Sequence, residues 1–300
     1  MAPLRVESNM KSSASLLFLL FLFSLNFAVF PQVNRSSGVI EINGGKVYYE
    51  AAGRGRAVVF IHGGLVDNRS WDEQFKEFSK GNRVVRYDIR GRGKSPLPAE
   101  PYSLVNDVKE LLRYLKIEKA TVVGLSLGGV IAADFVLENP DMADALVLVG
   151  SGLRGYDSGK PDREGAVIFE TAAKTTPEKA ADLWLTHPHF AGARNRKKPR
   201  ERLRGMLIDN FSGYTQKEAG KYYILPQTPT DERLNKIAVP TLVIAGSLDA
   251  EYILANANEL KSKIAGSQLV FMKDASHHPN IEKPAEFNKI LRIFLRKSIK

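Results

Sequence analysis

Short apolar runs without polar alternation are the feature that most limits the fold of this chain. The clearest are TVVGL at 121–125, ALVLVG at 145–150 and TLVIAG at 241–246. A strand that is covered on both faces has no side turned to water, so such runs are typical of parallel sheets packed between helices. They alternate with longer amphipathic segments along most of the chain. This order predicts an α/β fold with a mostly parallel sheet.

The β-branched runs predict eight strands, and the segments between them predict helices. The strands are expected at 39–42, 46–51, 57–61, 83–88, 120–125, 145–150, 241–246 and 268–272. The helices are expected at 71–80, 102–115, 127–138, 251–264 and 284–297. Because the connections are long enough for crossovers, we expect helices on both faces of the sheet.

The regular alternation stops between Gly150 and Thr241, where apolar residues recur at helical spacing instead. We therefore expect a helical cap at 152–237, inserted into a core domain that comprises 38–151 and 238–300. Aromatic side chains in this cap are expected mainly to pack, and they weakly favour an apolar substrate. They are Phe169, Trp184, Phe190, Phe211, Tyr214, Tyr222 and Tyr223.

The amino terminus differs from the rest of the chain. Residues 16–30 (LLFLLFLFSLNFAVF) form an apolar run that follows Arg5 and Lys11, which is typical of a secretory signal peptide. The run is short for a membrane span, which needs about 20 apolar residues. No clear cleavage site follows it, so 1–37 is interpreted as a signal peptide or an uncleaved anchor with a linker. We expect a protein that is exported, to the periplasm or outside the cell, or attached to a membrane.

Composition excludes several kinds of chemistry. The chain has no cysteine, which rules out disulfides, thiol nucleophiles and cysteine-rich zinc sites. The net charge is +10, but 33 acidic residues are interspersed among 43 basic ones and no nucleic-acid motif accompanies them. We expect no cofactor, no metal and no nucleic-acid partner. The basic stretch at 192–205 suggests either a solvated helix face or attraction to an anionic membrane surface, which charge reversal should weaken.

The motif G-x-S-x-G occurs as Gly124, Leu125, Ser126, Leu127 and Gly128. It follows a predicted buried strand and opens a predicted helix. A nucleophilic serine on such a sharp turn needs nearly side-chain-free neighbours two residues away on each side, which the two glycines provide. Ser126 is therefore the candidate nucleophile.

A serine hydroxyl needs a base within hydrogen-bond reach, and the base needs an orienting group. Of the five histidines, His187 and His189 lie in the predicted cap and are interpreted as surface or packing residues, and His62 as a residue that holds a sharp turn. His277 and His278 remain, in the loop after the last strand.

The candidate acid is Asp249, which follows the strand 241–246 at the carboxyl edge of the sheet, where α/β folds bind ligands. Its alternative role is a helix cap. Asp274 and Glu282 are close to the histidines in sequence, but each has an adequate interpretation as a loop or helix-start charge.

An oxyanion hole needs two backbone donors aimed at the developing negative charge. One candidate is the amide of Leu127, directly after the nucleophile. The other is the amide of Gly64, in the sequence FIHGGL that follows the third predicted strand.

The motifs FIHGG, VVRYDIRGRGKS, GLSLGG, TLVIAGSLD and ASHHPNIEKPAEFN resemble the successive signatures of the α/β-hydrolase superfamily. The resemblance extends from Val39 nearly to the carboxyl end. Relatives commonly place glycine before the histidine base and glutamate five residues after it. Glu282 therefore favours His277 over His278, although Ser276 replaces the glycine.

This resemblance implies an α/β-hydrolase fold, and a serine rather than an aspartate at the elbow disfavours epoxide hydrolases and haloalkane dehalogenases. It implies carboxylic ester hydrolysis of a small to medium substrate through an acyl-enzyme intermediate. Lactone or enol-lactone hydrolysis, carbon–carbon bond hydrolysis of diketones and cofactor-free perhydrolysis are alternatives on the same residues. A non-catalytic receptor or binding module of this fold is a rival from another class.

Overall fold

A computed structural model of the chain describes residues 35–210 and 221–298. The apolar run at 16–30 lies outside these ranges, so export and membrane attachment stay predictions. Two of the aromatic residues of the predicted cap, Phe211 and Tyr214, also lie outside them. None of the helices within them is long and apolar enough to cross a membrane.

The centre of the fold is an eight-stranded sheet. Its strands are β1 (Arg35–Ile42), β2 (Gly45–Ala52), β3 (Ala57–Ile61), β4 (Arg83–Tyr87), β6 (Ala120–Leu125), β7 (Ala143–Val149), β9 (Thr241–Gly246) and β10 (Gln268–Met272). Their order across the sheet is β1-β2-β4-β3-β6-β7-β9-β10. From β4 to β10 every neighbouring pair is parallel, and only β2 pairs antiparallel with β1 and β4. The mostly parallel eight-stranded sheet predicted from the apolar runs is thus confirmed.

Both faces of this sheet are covered by apolar side chains. In β6, Val122 packs into one buried cluster and the next residue, Val123, packs into another on the opposite face. A strand buried on both sides has no polar alternation, which explains the continuous runs in the sequence. The covering helices are α1 (Asp72–Phe78), α2 (Leu104–Tyr114), α3 (Leu127–Glu138), α7 (Glu251–Lys263), α8 (Pro279–Glu282) and α9 (Pro284–Ser298).

The region between β7 and β9 contains the helices α4 (Arg163–Ala172), α5 (Pro177–Trp184) and α6 (Lys197–Asn210). It also contains a short strand, β8 (Tyr223–Ile224), which pairs with β5 (Tyr102–Ser103) ahead of α2. The region is therefore not wholly helical. The bounds 152–237 for a separate cap stay a prediction.

Two element boundaries differ from the sequence prediction because of long-range contacts. The strand β1 begins at Arg35, inside the predicted linker, because Arg35 pairs with Ala52 of β2. The helix α2 begins only at Leu104, since Ser103 caps it by accepting a hydrogen bond from the amide of Asn106.

The basic stretch at 192–205 has part of its charge paired. Arg202 lies 2.8 Å from Asp72, and Arg204 lies 2.7 Å from Asp182. These exposed pairs favour the solvated-face interpretation, because each carboxylate cancels a charge that could attract an anionic surface. Attraction to a membrane stays a prediction.

Candidate active site

Ser126 lies on the sharp turn between β6 and α3. Its backbone has φ 54° and ψ −113°, a region that residues with a side chain rarely occupy. The turn is held from outside, since the Ser126 amide donates to the Val149 carbonyl at 2.9 Å. Such strain persists only where the surroundings enforce it and is typical of active sites.

The two motif glycines leave room for this turn. A Cβ on Gly124 would lie 2.0 Å from the Gly128 carbonyl oxygen, and one on Gly128 would lie 2.3 Å from that of Ile61. Both clashes are with backbone, which cannot swing aside as a flexible side chain can. The glycines of the motif are therefore required by the packing of β3, β6 and α3.

Gly128→Ala is expected to lower the free energy of unfolding by about 2–3 kcal/mol, because overpacked backbone must shift. Gly205→Ala is the matched control. Nothing lies within 4 Å of a Cβ at Gly205 in α6, and alanine is favoured over glycine within a helix by about 0.5–1 kcal/mol, so this variant should be more stable. Urea denaturation of both variants measures these opposite changes in the free energy of unfolding. A Gly128→Ala protein as stable as wild type would contradict the tight packing of the turn.

The structure brings Asp249 and His277 together at the carboxyl edge of the sheet. Asp249 Oδ2 accepts a hydrogen bond from His277 Nδ1 at 2.8 Å, and both residues are buried. His278 instead stacks on Phe190, with ring centroids 5.1 Å apart. Of the two adjacent histidines, His277 is therefore the one that the candidate acid orients.

Ser126 and His277 lie against the same short segment at the end of β7. The Ser126 carbonyl accepts a hydrogen bond from the Gly152 amide at 3.3 Å, and a Cβ on Gly150 would lie 3.1 Å from His277 Nδ1. Within the described ranges no hydrogen bond joins Ser126 Oγ to His277. Ser126 and His277 thus contact the same segment without a hydrogen bond between them, a separation that does not rule out candidate catalytic groups.

The loop after β3 lies beside the start of α3. Built on the backbone of Gly64, a Cβ would lie 3.9 Å from Leu127 Cβ, and one on Gly63 would lie 3.4 Å from Ser126 Cβ. Leu127 is the first residue of α3, where backbone amides have no carbonyl partner within the helix. Gly64 and Leu127, the two predicted oxyanion donors, therefore lie on facing segments next to the serine.

His62 makes the backbone contacts that a turn-holding residue needs. It is fully buried, its Nδ1 lies 2.7 Å from the Gly63 carbonyl, and its Nε2 accepts a hydrogen bond from the Ile89 amide at 2.9 Å. Both ring nitrogens are used in joining the loops after β3 and β4. These contacts fit the interpretation of His62 as a structural residue.

Comparison with known proteins identifies the family. A family model described as the alpha/beta hydrolase fold matches residues 56–284, more than half of the chain. The chain belongs to the α/β-hydrolase family. The fold predicted from the sequence motifs is confirmed, and membership of this family supports hydrolase activity.

The relatives of this α/β hydrolase include several lactonases. The chain is 25% identical over 277 residues to 3-oxoadipate enol-lactonase 2 of Acinetobacter baylyi, covering 91% of this chain and 94% of the relative. It is similar to the solved enol-lactonase of Burkholderia xenovorans, with a TM-score of 0.73, 27% identity, and coverage of 87% of this chain and 100% of that one. It is also similar to Est816, described as an N-acyl homoserine lactone degrading enzyme, with a TM-score of 0.72, 29% identity, and coverage of 86% and 100%.

Asp249 is held ionised in this hydrolase. Burial opposes its ionisation, but the charge of His277 and the hydrogen bonds from His189 and His277 outweigh burial and hold the pKa of Asp249 well below its usual range. An ionised carboxylate accepts hydrogen bonds only. The proton in the Asp249–His277 contact is therefore on His277 Nδ1.

Ser276, which replaces the glycine common in relatives, connects three segments. Its amide donates to Glu282 Oε2 at 2.6 Å, and its hydroxyl lies 2.6 Å from Glu282 Oε1, 2.8 Å from the His189 carbonyl and 3.0 Å from the Gly192 amide. Burial raises the pKa of Glu282. Glu282, interpreted from sequence as a loop or helix-start charge, is in fact a buried partner of the loop that carries His277.

Sequence reasoning missed His189 as a member of this site. The residue was assigned to the cap surface or to packing, yet its Nδ1 lies 2.7 Å from Asp249 Oδ1. No local signal indicates this contact, which joins residues 60 positions apart. Asp249 thus contacts two histidines rather than one.

Within the described ranges, one group of side chains could together hold a metal ion, because its donor atoms lie within 4.8 Å of one another. The group is His189, Asp249 and His277. The two imidazole rings are stacked with an interplanar angle of only 19°. Lone pairs of nearly parallel rings do not converge on one point, whereas metal ligands must. The geometry fits a hydrogen-bonded set better than a metal centre.

Arg92 is a second residue that sequence reasoning missed. Its buried guanidinium donates from Nε to the Gly64 carbonyl at 2.6 Å and from Nη1 to the Gly91 carbonyl at 2.8 Å. These bonds tie the loop after β4 to the loop that carries Gly64. Arg92 therefore anchors the loop at the Gly64–Leu65 peptide, directly after the Gly64 amide.

Proposed function

We propose that this hydrolase cleaves carboxylic esters of a small to medium, mainly apolar substrate, with Ser126 as nucleophile, His277 as base and Asp249 as the acid that orients it. The observation that carries the proposal is the backbone of Ser126, which is strained at φ 54° where β6 turns into α3. A merely structural serine gains nothing from that strain, whereas a nucleophile must project its hydroxyl from such a turn.

The reaction follows from the positions of these groups. His277 Nε2 takes the Ser126 proton as Oγ attacks the ester carbonyl, and Asp249 stabilises the imidazolium that forms. The amides of Leu127 and Gly64 donate to the oxyanion of the tetrahedral intermediate. His277 returns the proton to the departing alcohol. It then takes a proton from the water that attacks the acyl-enzyme and gives it to Ser126 Oγ as the acyl–Oγ bond breaks, which releases the carboxylic acid and restores the serine.

Lactone hydrolysis by the same residues is the second candidate. It is supported by the names of the relatives, two enol-lactonases and an N-acyl homoserine lactone degrading enzyme. In a lactone the departing alcohol stays tethered to the acyl group, so the chemistry at Ser126 is unchanged. The difference between the two candidates lies in the shape of the substrate pocket.

Covalent labelling with a fluorophosphonate probe tests the nucleophile, and Ser126→Ala should abolish the labelling. A folded wild-type protein that does not react would defeat the serine-hydrolase proposal in favour of a binding module. Hydrolysis of p-nitrophenyl esters of increasing acyl length, beside simple lactones and a diketone, then assigns the substrate class. We expect the highest kcat/KM on esters, and a clear preference for a lactone would select the second candidate.

Replacing Arg92 by leucine is expected to lower kcat by about 10- to 100-fold, somewhat less than the loss of one oxyanion donor, because the loop that presents the Gly64 amide then loses its anchor at the adjacent Gly64 carbonyl. Arg92→Lys is the matched control, since a single ammonium group still reaches the Gly64 carbonyl, and it should keep more of the activity. Steady-state kinetics on the best ester measures both variants. Equal kcat in wild type and Arg92→Leu would show that Gly64 needs no such support.

A further inference from the structure

His189 lies in the 3-10 turn Pro188–Ala193, ahead of α6, and its side chain is enclosed by polar partners. Its Nδ1 is 2.7 Å from Asp249 Oδ1, and its Nε2 is 2.8 Å from the hydroxyl of Tyr252 in α7. Its exposure is only 8%. Both ring nitrogens are therefore committed to buried contacts.

The proton on each imidazole nitrogen follows from Asp249. Its carboxylate accepts from His277 at Oδ2, and from His189 and the Ala250 amide at Oδ1, the last at 2.8 Å. Because an ionised carboxylate only accepts, the histidines must both carry a proton on Nδ1. Since burial lowers the pKa of His189 and keeps the ring uncharged, its Nε2 carries no proton and accepts a hydrogen bond from the Tyr252 hydroxyl. His189 is thus fixed as the neutral Nδ1–H tautomer, the same form that catalysis needs in His277.

The two imidazoles also support each other directly. Their ring centroids are 3.8 Å apart with an interplanar angle of 19°, and the His277 amide donates to the His189 carbonyl at 3.2 Å. The face of His189 therefore covers one face of His277 and limits the rotation of that ring. Contact through both backbone and ring makes the two residues one packed unit.

His189 remains uncharged while His277 gains and loses its proton. Burial, and then the positive charge that His277 can carry, lower the pKa of His189 to about 4, although Asp249 acts in the opposite direction. His187, whose ring centroid is 4.4 Å away, adds a further lowering effect. A second cation stacked on the imidazolium of His277 would oppose catalysis, and this environment prevents it.

We infer that His189 is a positioning residue of the candidate active site, whose Nδ1–H and ring face hold the Asp249 carboxylate and the His277 imidazole in one arrangement. The inference rests on the proposed function, since it assigns to His189 a role in the same reaction. It acts through Asp249 and His277 rather than on the substrate. Removing it should therefore change kcat more than KM.

Steady-state kinetics of three variants test this role. His189→Phe keeps a stacked ring but loses the hydrogen bond, and kcat should fall by about 10- to 100-fold with KM little changed, as small misplacements of catalytic groups cause. His189→Asn retains an amide N–H that reaches Asp249, and it should recover part of that loss. His187→Phe makes the same change in the neighbouring histidine, which contacts Asp162 and accepts a hydrogen bond from the His189 amide but makes no hydrogen bond to Asp249, and should lower kcat far less than His189→Phe. Unchanged kcat in His189→Phe, or an equal loss in both phenylalanine variants, would overturn the inference.

Proton NMR of protein labelled with ¹⁵N-histidine tests the contact without reference to activity. In wild type two imidazole Nδ1–H protons should appear far downfield, because two Nδ1–H groups bond to one ionised carboxylate. The ¹⁵N correlation pattern distinguishes them from the Nε2–H of His187, which faces Asp162. One of the two should be absent in His189→Phe. A single downfield Nδ1–H in wild type would overturn the inference, whatever the kinetics show. A wild type that neither hydrolyses esters or lactones nor reacts with the fluorophosphonate would instead defeat the proposed function, and these spectra would still report on His189.

Discussion

The substitution Asp249→Asn is expected to lower kcat by about four orders of magnitude while leaving the protein folded, as removal of the orienting charge does in serine hydrolases. An asparagine offers one oxygen and one NH₂ group where three N–H groups now donate to the carboxylate. The Ala250 backbone amide can only donate, so the asparagine oxygen must take the Oδ1 position beside it. The NH₂ group then faces His277 Nδ1 and forces the His277 proton onto Nε2, which removes the base.

Asp274→Asn is the matched control for this substitution. Asp274 is an exposed loop residue three positions from His277 and was the nearest alternative acid in the sequence. Its replacement should leave kcat close to that of wild type. Steady-state kinetics across the pH range, with circular dichroism to verify folding, measures both variants. A large loss in Asp274→Asn with activity retained in Asp249→Asn would contradict the assignment of the acid.

His277→Gln should lower kcat by about five to six orders of magnitude, since loss of the base removes the cooperative action of the whole set. The same substitution at His278 should retain most of the activity. His278 Nδ1 is buried and has no hydrogen-bond partner in the part of the chain that the structure describes. Burial also lowers the pKa of His278, so this ring stays neutral.

Fluorophosphonate labelling and ester kinetics on the two glutamine variants separate these roles. Because both changes replace a buried imidazole by an amide of similar reach, a general loss of packing should affect both proteins alike. Thermal melts record that packing effect independently of activity. If His278→Gln were the inactive variant, the base would have to be reassigned.

The sheet could be predicted well from the sequence because its signals are local. Each parallel strand is buried on both faces, so its apolar run is visible without knowledge of its partners. Element boundaries were less certain where a distant pairing sets them. The pairing of Tyr102 with Tyr223 turns two predicted helical residues into a strand, and it joins segments 121 positions apart, from 102 to 223.

The candidate site likewise contains residues that the sequence predicts and residues that it does not. Ser126, Asp249 and His277 each follow a strand at the carboxyl edge of the sheet, so topology alone brings them close. Arg92 and His189 act through contacts with Gly64 and Asp249 that depend on how loops and the region between β7 and β9 pack. A pattern of residue types carries no record of such packing, which is why these two residues were missed.

The hydrogen bond from His189 to Asp249 bears on how such enzymes can be recombined. The segment between β7 and β9 is where a protein engineer would graft another relative's sequence to alter substrate range. In this hydrolase that exchange would also remove a donor from Asp249, the proposed catalytic acid, and a ring from the face of His277. Chimeras at this junction should therefore be built with His189, Tyr252 and the Gly192–Ser276 contact transplanted together.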